Sequence, residues 1–175
     1  MPDDRELWER IGRGDASAFD AFYRTHAPKL ELYLRQILRS RQAAEDVMQE
    51  TFAQIWKRPN GFEPARGTLR AYLFGAARNR AAEWWRKQGG AWNRDVGNEP
   101  AEHKTEMASL IADAFARLPE EQQTLIWLRE VDGQSYAELA VILDIPVGTV
   151  RSRLFTAREA LRSVWLAVPT AKEDA

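Results

Sequence analysis

The stretch Gly133-Gln134-Ser135-Tyr136-Ala137-Glu138-Leu139-Ala140-Val141-Ile142-Leu143-Asp144-Ile145-Pro146-Val147-Gly148-Thr149-Val150-Arg151-Ser152-Arg153-Leu154 reads as two helices joined by a tight turn. Ser135 and Glu138 have the spacing of a capping box, in which each side chain accepts from the other residue's amide. The helix they start, expected over 135–143, buries Leu139, Ala140 and Leu143. Asp144-Ile145-Pro146 then makes the turn: Asp tolerates left-handed backbone and Pro suits a helix start. In the second helix, expected over 147–165, Val147, Val150, Leu154, Ala157 and Leu161 fall on one stripe at about 100° per residue. The opposite face holds the small residues Gly148, Thr149, Ser152 and Thr156. Arg151, Arg158 and Arg162 border one side of that face and Arg153 the other. A small face lets a helix approach base edges in the major groove, and bordering arginines hold phosphates or read guanine. An ordinary surface helix would account for the arginines alone. It would not account for a capped helix, a tight turn and a small face occurring together, which is the pattern of a helix-turn-helix.

The rest of the chain is also helical in pattern. Over 16–39, Phe19, Phe22, Tyr23, Leu30, Tyr33, Leu34, Ile37 and Leu38 recur at helical spacing, with Pro28 expected to kink or restart the segment. Over 42–57, Ala44, Val47, Met48, Thr51, Phe52, Ile55 and Trp56 oppose a face carrying Glu45, Gln49 and Glu50. Pro59-Asn60-Gly61 stops that helix, and a loop held open by Pro64 and Gly67 leads to another helix over 68–87. Residues 88–106, QGGAWNRDVGNEPAEHKTE, lack periodicity and read as a flexible linker. Further helices are expected over 107–117 and 120–131. The fold class is therefore all-α: two small helical domains, 1–87 and 107–168, joined by the linker 88–106, with a tail at 169–175.

The 175 residues carry a net charge of −1, but the charge is unevenly distributed. Residues 57–94 hold nine Lys/Arg against two Glu; residues 95–121 hold two basic against seven acidic residues; residues 147–162 hold four Arg against Glu159. Two basic zones thus flank an acidic one. Fields decay within about 10 Å at physiological salt, so such zones can bind DNA in a chain of neutral total charge. Cysteine is absent, which excludes disulfides and thiolate metal sites and fits a reducing cytoplasm. The charged start has no apolar signal core, and no apolar run is long enough to span a bilayer, so neither a secretory leader nor membrane insertion is expected. His26 and His103 have no metal-ligand spacing. Glu45 and Asp46 diverge on a helix, and no phosphate loop or nucleophile elbow occurs. No enzyme activity, metal or cofactor is therefore expected.

The segment from Leu118-Pro119 through Gly133–Ala140 and Pro146–Leu154 to Ala157-Arg158 resembles the promoter-binding C-terminal domain of extracytoplasmic-function sigma factors. The resemblance implies that Thr149, Arg151, Ser152, Arg153, Phe155 and Arg158 read the minus-thirty-five element. Thr156 departs from the pattern, since many members carry a basic residue there. Glu45-Asp46-Val47-Met48-Gln49-Glu50-Thr51-Phe52 with Ile55-Trp56 is similar to the most characteristic sequence of the same group. It implies docking of Glu45, Asp46, Gln49, Glu50, Phe52 and Trp56 on the clamp helices of the polymerase largest subunit. By residues alone, Glu45, Asp46 and Glu50 read rather as dipole compensation and solvated charge.

Residues 59–87 combine cations with aromatics, as single-strand binding requires. The resemblance assigns Asn79, Arg80, Trp84 and Trp85, with Asn60, Phe62 and Arg66 from the loop, to reading and melting the minus-ten element. Adjacent helix residues diverge, so one of Trp84 and Trp85 is expected in the core. The partners implied are core RNA polymerase, including the flap of its second-largest subunit, promoter DNA and an anti-sigma factor, all in the cytoplasm. The alternative is a stand-alone helix-turn-helix repressor, which would not need the acidic helix and would usually need a dimer interface.

Overall fold

The computed structural model describes residues 4–89 and 106–167; the linker expectation falls almost wholly, and the tail expectation wholly, outside them. Among the described residues there are helices and turns and no strand. The N-terminal domain comprises α1 (Asp4–Gly12), α2 (Ala16–Leu38), α3 (Arg41–Lys57) and α4 (Leu69–Lys87), with 3₁₀ turns at Pro59–Gly61 and Pro64–Arg66. Helix α2 runs through Pro28 as a single 23-residue helix. Ala27 and Leu30 on either side of the proline are both buried in the same core, so tertiary packing keeps the helix continuous and the expected restart does not occur. Asp15 caps α2, accepting from the Ser17 and Ala18 amides, and Ser40 caps α3. Leu30, Leu34, Ile37, Leu38, Ile55, Leu69, Leu73 and Phe74 are fully buried between α2, α3 and α4.

Residues 4–12, where the sequence suggests no element, form α1. Trp8 meets Phe62 and Tyr72 edge-on at 5.3 and 5.7 Å. The Asp4 carboxylate accepts from the Leu69 amide at 2.7 Å, while Thr68 Oγ1 accepts from the Ala71 amide. Helix α4 is thereby capped by its own loop and by a carboxylate from the far end of the domain, where the helix dipole favours negative charge.

The C-terminal domain comprises α5 (Glu106–Ala116), α6 (Glu120–Ile126), which continues as a π-helical turn at Trp127–Val131, α7 (Tyr136–Leu143) and α8 (Val147–Leu166). Helices α5, α6 and α7 all pack on α8. Val150, Leu154 and Ala157 are buried beneath them. Val147 is the exception to the expected stripe, being 38% exposed at the helix start, where no element covers it.

The two domains share one hydrophobic core. Helix α7 lies along α4, and α6 meets α2. At the junction Tyr33, Phe74 and Trp127 form an aromatic trio with ring centroids 5.4–6.5 Å apart, and the Tyr33 hydroxyl lies 3.4 Å from Thr124 Oγ1. Arg39, which ends α2 in the left-handed conformation, donates to the Ala116 carbonyl at 2.9 Å. Because Trp8 ties α1 to both the loop and α4, Trp8→Ala is expected to cost about 3 kcal/mol of unfolding free energy. Chemical denaturation would read this, and tryptophan-independent far-UV circular dichroism should show the remaining helices intact.

Candidate nucleic-acid interface

Local chemistry places the helix-turn-helix. The Glu138 amide donates to Ser135 Oγ at 3.1 Å and the Ser135 amide to Glu138 Oε2 at 2.8 Å, completing the capping box. Asp144 closes α7 in the left-handed region, at φ 54°, and the Ile145 amide returns to the Ala140 carbonyl. These bonds aim α8 so that Arg151, Ser152, Arg153, Phe155, Thr156 and Arg158 are exposed, with Thr149 half-buried. Phe155 is 67% exposed, a large ring presented to solvent beside the arginines.

These arginines already have intramolecular partners. Arg153 pairs with Glu121, Arg158 forks onto Glu130, and Arg151 sits 5.8 Å from the Tyr136 ring centroid, across from Arg129 at 5.0 Å. The Glu130 carboxylate raises the Arg158 pKa above its ordinary value. The interface is thus preformed, with carboxylates occupying places that phosphates could take.

Phe62, Arg66, Asn79 and Arg80 line one cavity of about 580 Å³ with Tyr72 and, from the C-terminal domain, Val141 and Asp144. Asn60, Trp84 and Trp85 lie outside this lining. Arg80 donates to Glu50 at 3.0 Å and also to Gln54, bridging α4 to α3. Trp85 is buried and Trp84 half-buried, their rings edge-to-face at 5.0 Å. Phe62 does not stand ready for a base: at 7% exposure it is packed against Trp8 and Tyr72, because α1 covers the loop.

The third cluster lies on α3. Asp46, Gln49 and Glu50 are exposed and Glu45 is half-buried, paired with Arg41 at 2.9 Å. Trp56 is 38% exposed and meets Phe19 in a tilted ring contact at 4.9 Å. Phe52, assigned to this surface, is 3% exposed beneath Phe22 and Tyr23 and belongs to the core. Tyr23 is 36% exposed and completes the apolar part of the patch. Its spacing from Phe19 is that of one helix face and predicts a core position, but its ring reaches the surface over Phe52. A second feature without a sequence signal is an apolar groove of about 570 Å³ on the C-terminal domain, lined by Ile111, Ile126, Leu161 and Trp165 with Glu130 and Arg158 at its edge. Among the described residues no cluster could hold a metal ion, and no helix is long and apolar enough to cross a membrane.

Residues 22–90 match the model of Sigma-70 region 2 and residues 108–161 that of Sigma-70, region 4. The chain is 32% identical to the ECF RNA polymerase sigma-E factor of Haemophilus influenzae, over 91% of this chain and 94% of that protein. It is 30% identical to the RNA polymerase sigma-H factor of Pseudomonas aeruginosa, over 90% and 91%. Among solved structures it resembles CnrH in complex with the cytosolic domain of CnrY, with a TM-score of 0.75, 25% identity and coverage of 95% of this chain and 99% of that one. It also resembles the sigma factor RpoE in complex with the anti-sigma factor NepR from Bartonella quintana, with a TM-score of 0.71, 27% identity and coverage of 86% and 97%. With both regions matched in order and full-length relatives at this identity, the chain belongs to the extracytoplasmic-function RNA polymerase sigma factors, which direct transcription initiation.

Proposed function

We propose that the two domains divide promoter recognition between them. Helix α8 reads the minus-thirty-five element through Thr149, Arg151, Ser152, Arg153, Phe155 and Arg158. The face around Arg66, Asn79 and Arg80, with Asn60 and the half-buried Trp84, reads the minus-ten element and holds its melted strand. The protein supplies specificity and melting, while polymerase performs the chemistry in the cytoplasm. The observation that carries this reading is the separation of two kinds of surface on one chain. A small-faced, arginine-bordered helix is suited to duplex DNA, whereas the carboxylate and ring patch of Asp46, Gln49, Glu50, Tyr23 and Trp56 would repel DNA and suits a basic protein helix.

That patch docks on the clamp helices of the largest polymerase subunit, and the groove of Ile111, Ile126, Leu161 and Trp165 receives the flap of the second-largest subunit. Two weak DNA contacts joined by a linker then act as one strong contact once polymerase holds both domains. An anti-sigma factor is a further partner, a reading supported by the likeness to RpoE, whose structure is a complex with the anti-sigma factor NepR. A repressor acting without polymerase would leave the α3 patch without a purpose.

Promoter-dependent transcription with purified core polymerase tests the assignment. Arg151→Ala/Ser152→Ala is expected to abolish promoter choice while retaining polymerase binding, and Asp46→Ala/Gln49→Ala to weaken polymerase binding itself. Duplex binding without any engagement of polymerase would replace this reading with the repressor. A separate expectation concerns the Arg158–Glu130 pair. Neutralising the carboxylate in Glu130→Gln should tighten minus-thirty-five duplex binding, and the plot of log affinity against log salt should steepen by about one phosphate contact. Fluorescence anisotropy across a salt series would measure both.

A further inference from the structure

The junction between the domains holds charges that neither DNA-reading surface uses. Asp132, just past the π-helical turn, has a fully buried side chain. Its Oδ1 lies 3.2 Å from Lys29 Nζ of α2, its Oδ2 accepts from Gln134 Nε2 at 2.7 Å, and Arg70 of α4 stands 3.9 Å away. Arg70 also forks onto Glu138, donating to Oε1 and Oε2 at 3.1 and 3.0 Å, and Thr68 Oγ1 donates to the same carboxylate at 2.9 Å. Burial works to raise the Glu138 pKa, but the Ser135 amide, Arg70 and Thr68 outweigh it and hold the carboxyl below its ordinary range. Two acids of the C-terminal domain are therefore gripped by two bases of the N-terminal domain, 62 to 103 residues apart in the chain.

We propose that Lys29 and Arg70 with Asp132 and Glu138 form an ionic latch, which holds the two DNA-reading domains closed in the free chain and must open before a promoter is read. The second half of this proposal rests on the assignment of the two domains to the minus-thirty-five and minus-ten elements. Those elements lie about 25 base pairs apart, or roughly 85 Å at 3.4 Å per step. In the closed form the two surfaces are neighbours: Arg66 of the minus-ten loop shares one cavity with Pro146 and Val147 at the start of α8. A second cavity is lined jointly by Asn79, Arg80 and residues of α7. No duplex spans that distance between surfaces in contact, so reading both elements requires α7 to leave α4.

Charges suit a contact that must open. A buried carboxylate needs its counter-ion while closed, yet both ions regain water when the domains part. Removing one side leaves the other charge uncompensated in the closed form only, which shifts the population toward the open one. The close approach of α4 and α7 offers an independent means of opening: a β-carbon at Gly75 would lie 3.6 Å from Ile142 Cα, so a larger side chain there would wedge α7 away.

The test uses the full chain, which has no native cysteine, labelled with spin probes at Thr25→Cys and Ser163→Cys. The wild type is expected to show one narrow distance distribution. Asp132→Asn/Glu138→Gln, in which Gln preserves the capping box, and Gly75→Leu should each add a broad, longer population. Association of these variants with core polymerase should rise by about tenfold, because less of the chain is trapped closed. A broad distribution in the wild type, or a narrow one unchanged in both variants, would overturn the latch. Longer distances in the variants with no transcription by any form, wild type included, would uphold the latch and remove the promoter reading instead. Normal transcription with unchanged distances would do the reverse.

Discussion

Tyr33 lies where all parts of the molecule meet. Its ring is fully buried between Phe74 of α4 and Trp127 of the C-terminal domain, and its hydroxyl reaches Thr124. Burial pushes this phenol well above its ordinary pKa, so it remains a neutral hydroxyl at any physiological pH. A phenol suits the position because it supplies a large apolar surface toward α4 together with a polar tip for the one hydroxyl within reach. A hydrophobic core that continues from one domain into the other must form without losing the option of separating. Aromatic surface supplies affinity, and the charges around it set the register in which the domains meet.

Electrostatics follow the same division. Three of the basic side chains assigned to nucleic acid are paired with carboxylates in the free chain. Arg80 is held by Glu50, Arg153 by Glu121 and Arg158 by Glu130, while the neighbouring Arg78 faces Glu120. Glu120 and Glu121 end the acidic stretch 95–121, so at least this part of the block neutralises basic side chains from both domains. Such exposed pairs contribute little to stability. Their consequence is for binding: phosphates must displace carboxylates, so contact with DNA becomes an exchange whose driving force depends on what else is bound. Glu50 stands both in the patch assigned to polymerase and on Arg80. Whatever engages Glu50 therefore alters Arg80, the side chain proposed to face the minus-ten strand.

Much of this was legible in the sequence where a local rule decided the outcome. The capping box at Ser135–Glu138, the left-handed Asp144 and the buried Val150, Leu154 and Ala157 need only a few neighbours, and each is found as expected. The all-α class and the two matched regions belong to the same level. What escaped was decided by distant residues. Phe62 resembles an exposed recognition ring in isolation, but α1 covers it; Phe52 lies on the apolar face that its spacing gives, beneath Phe22 and Tyr23, and only the family resemblance sets it on the polymerase surface. Pro28 carries a strong local signal for a break, yet burial of Ala27 and Leu30 against one core overrides it. Helix α1 itself has nine residues with only Trp8 and Ile11 buried, too few for periodicity to register.

The apposition of the domains had no sequence signal at all, because its parts each have a sufficient local explanation. Glu138 completes a capping box, Arg70 lies in a basic helix and Gly75 is one small residue among several alanines. Only their juxtaposition gives Glu138 two simultaneous tasks, capping α7 and gripping Arg70. A helix cap that is also an interdomain contact ties the start of the helix-turn-helix to the docking of the domain that carries it. Glu138 thus belongs at once to the start of the helix-turn-helix and to the contact between the domains, beside the core that the domains share.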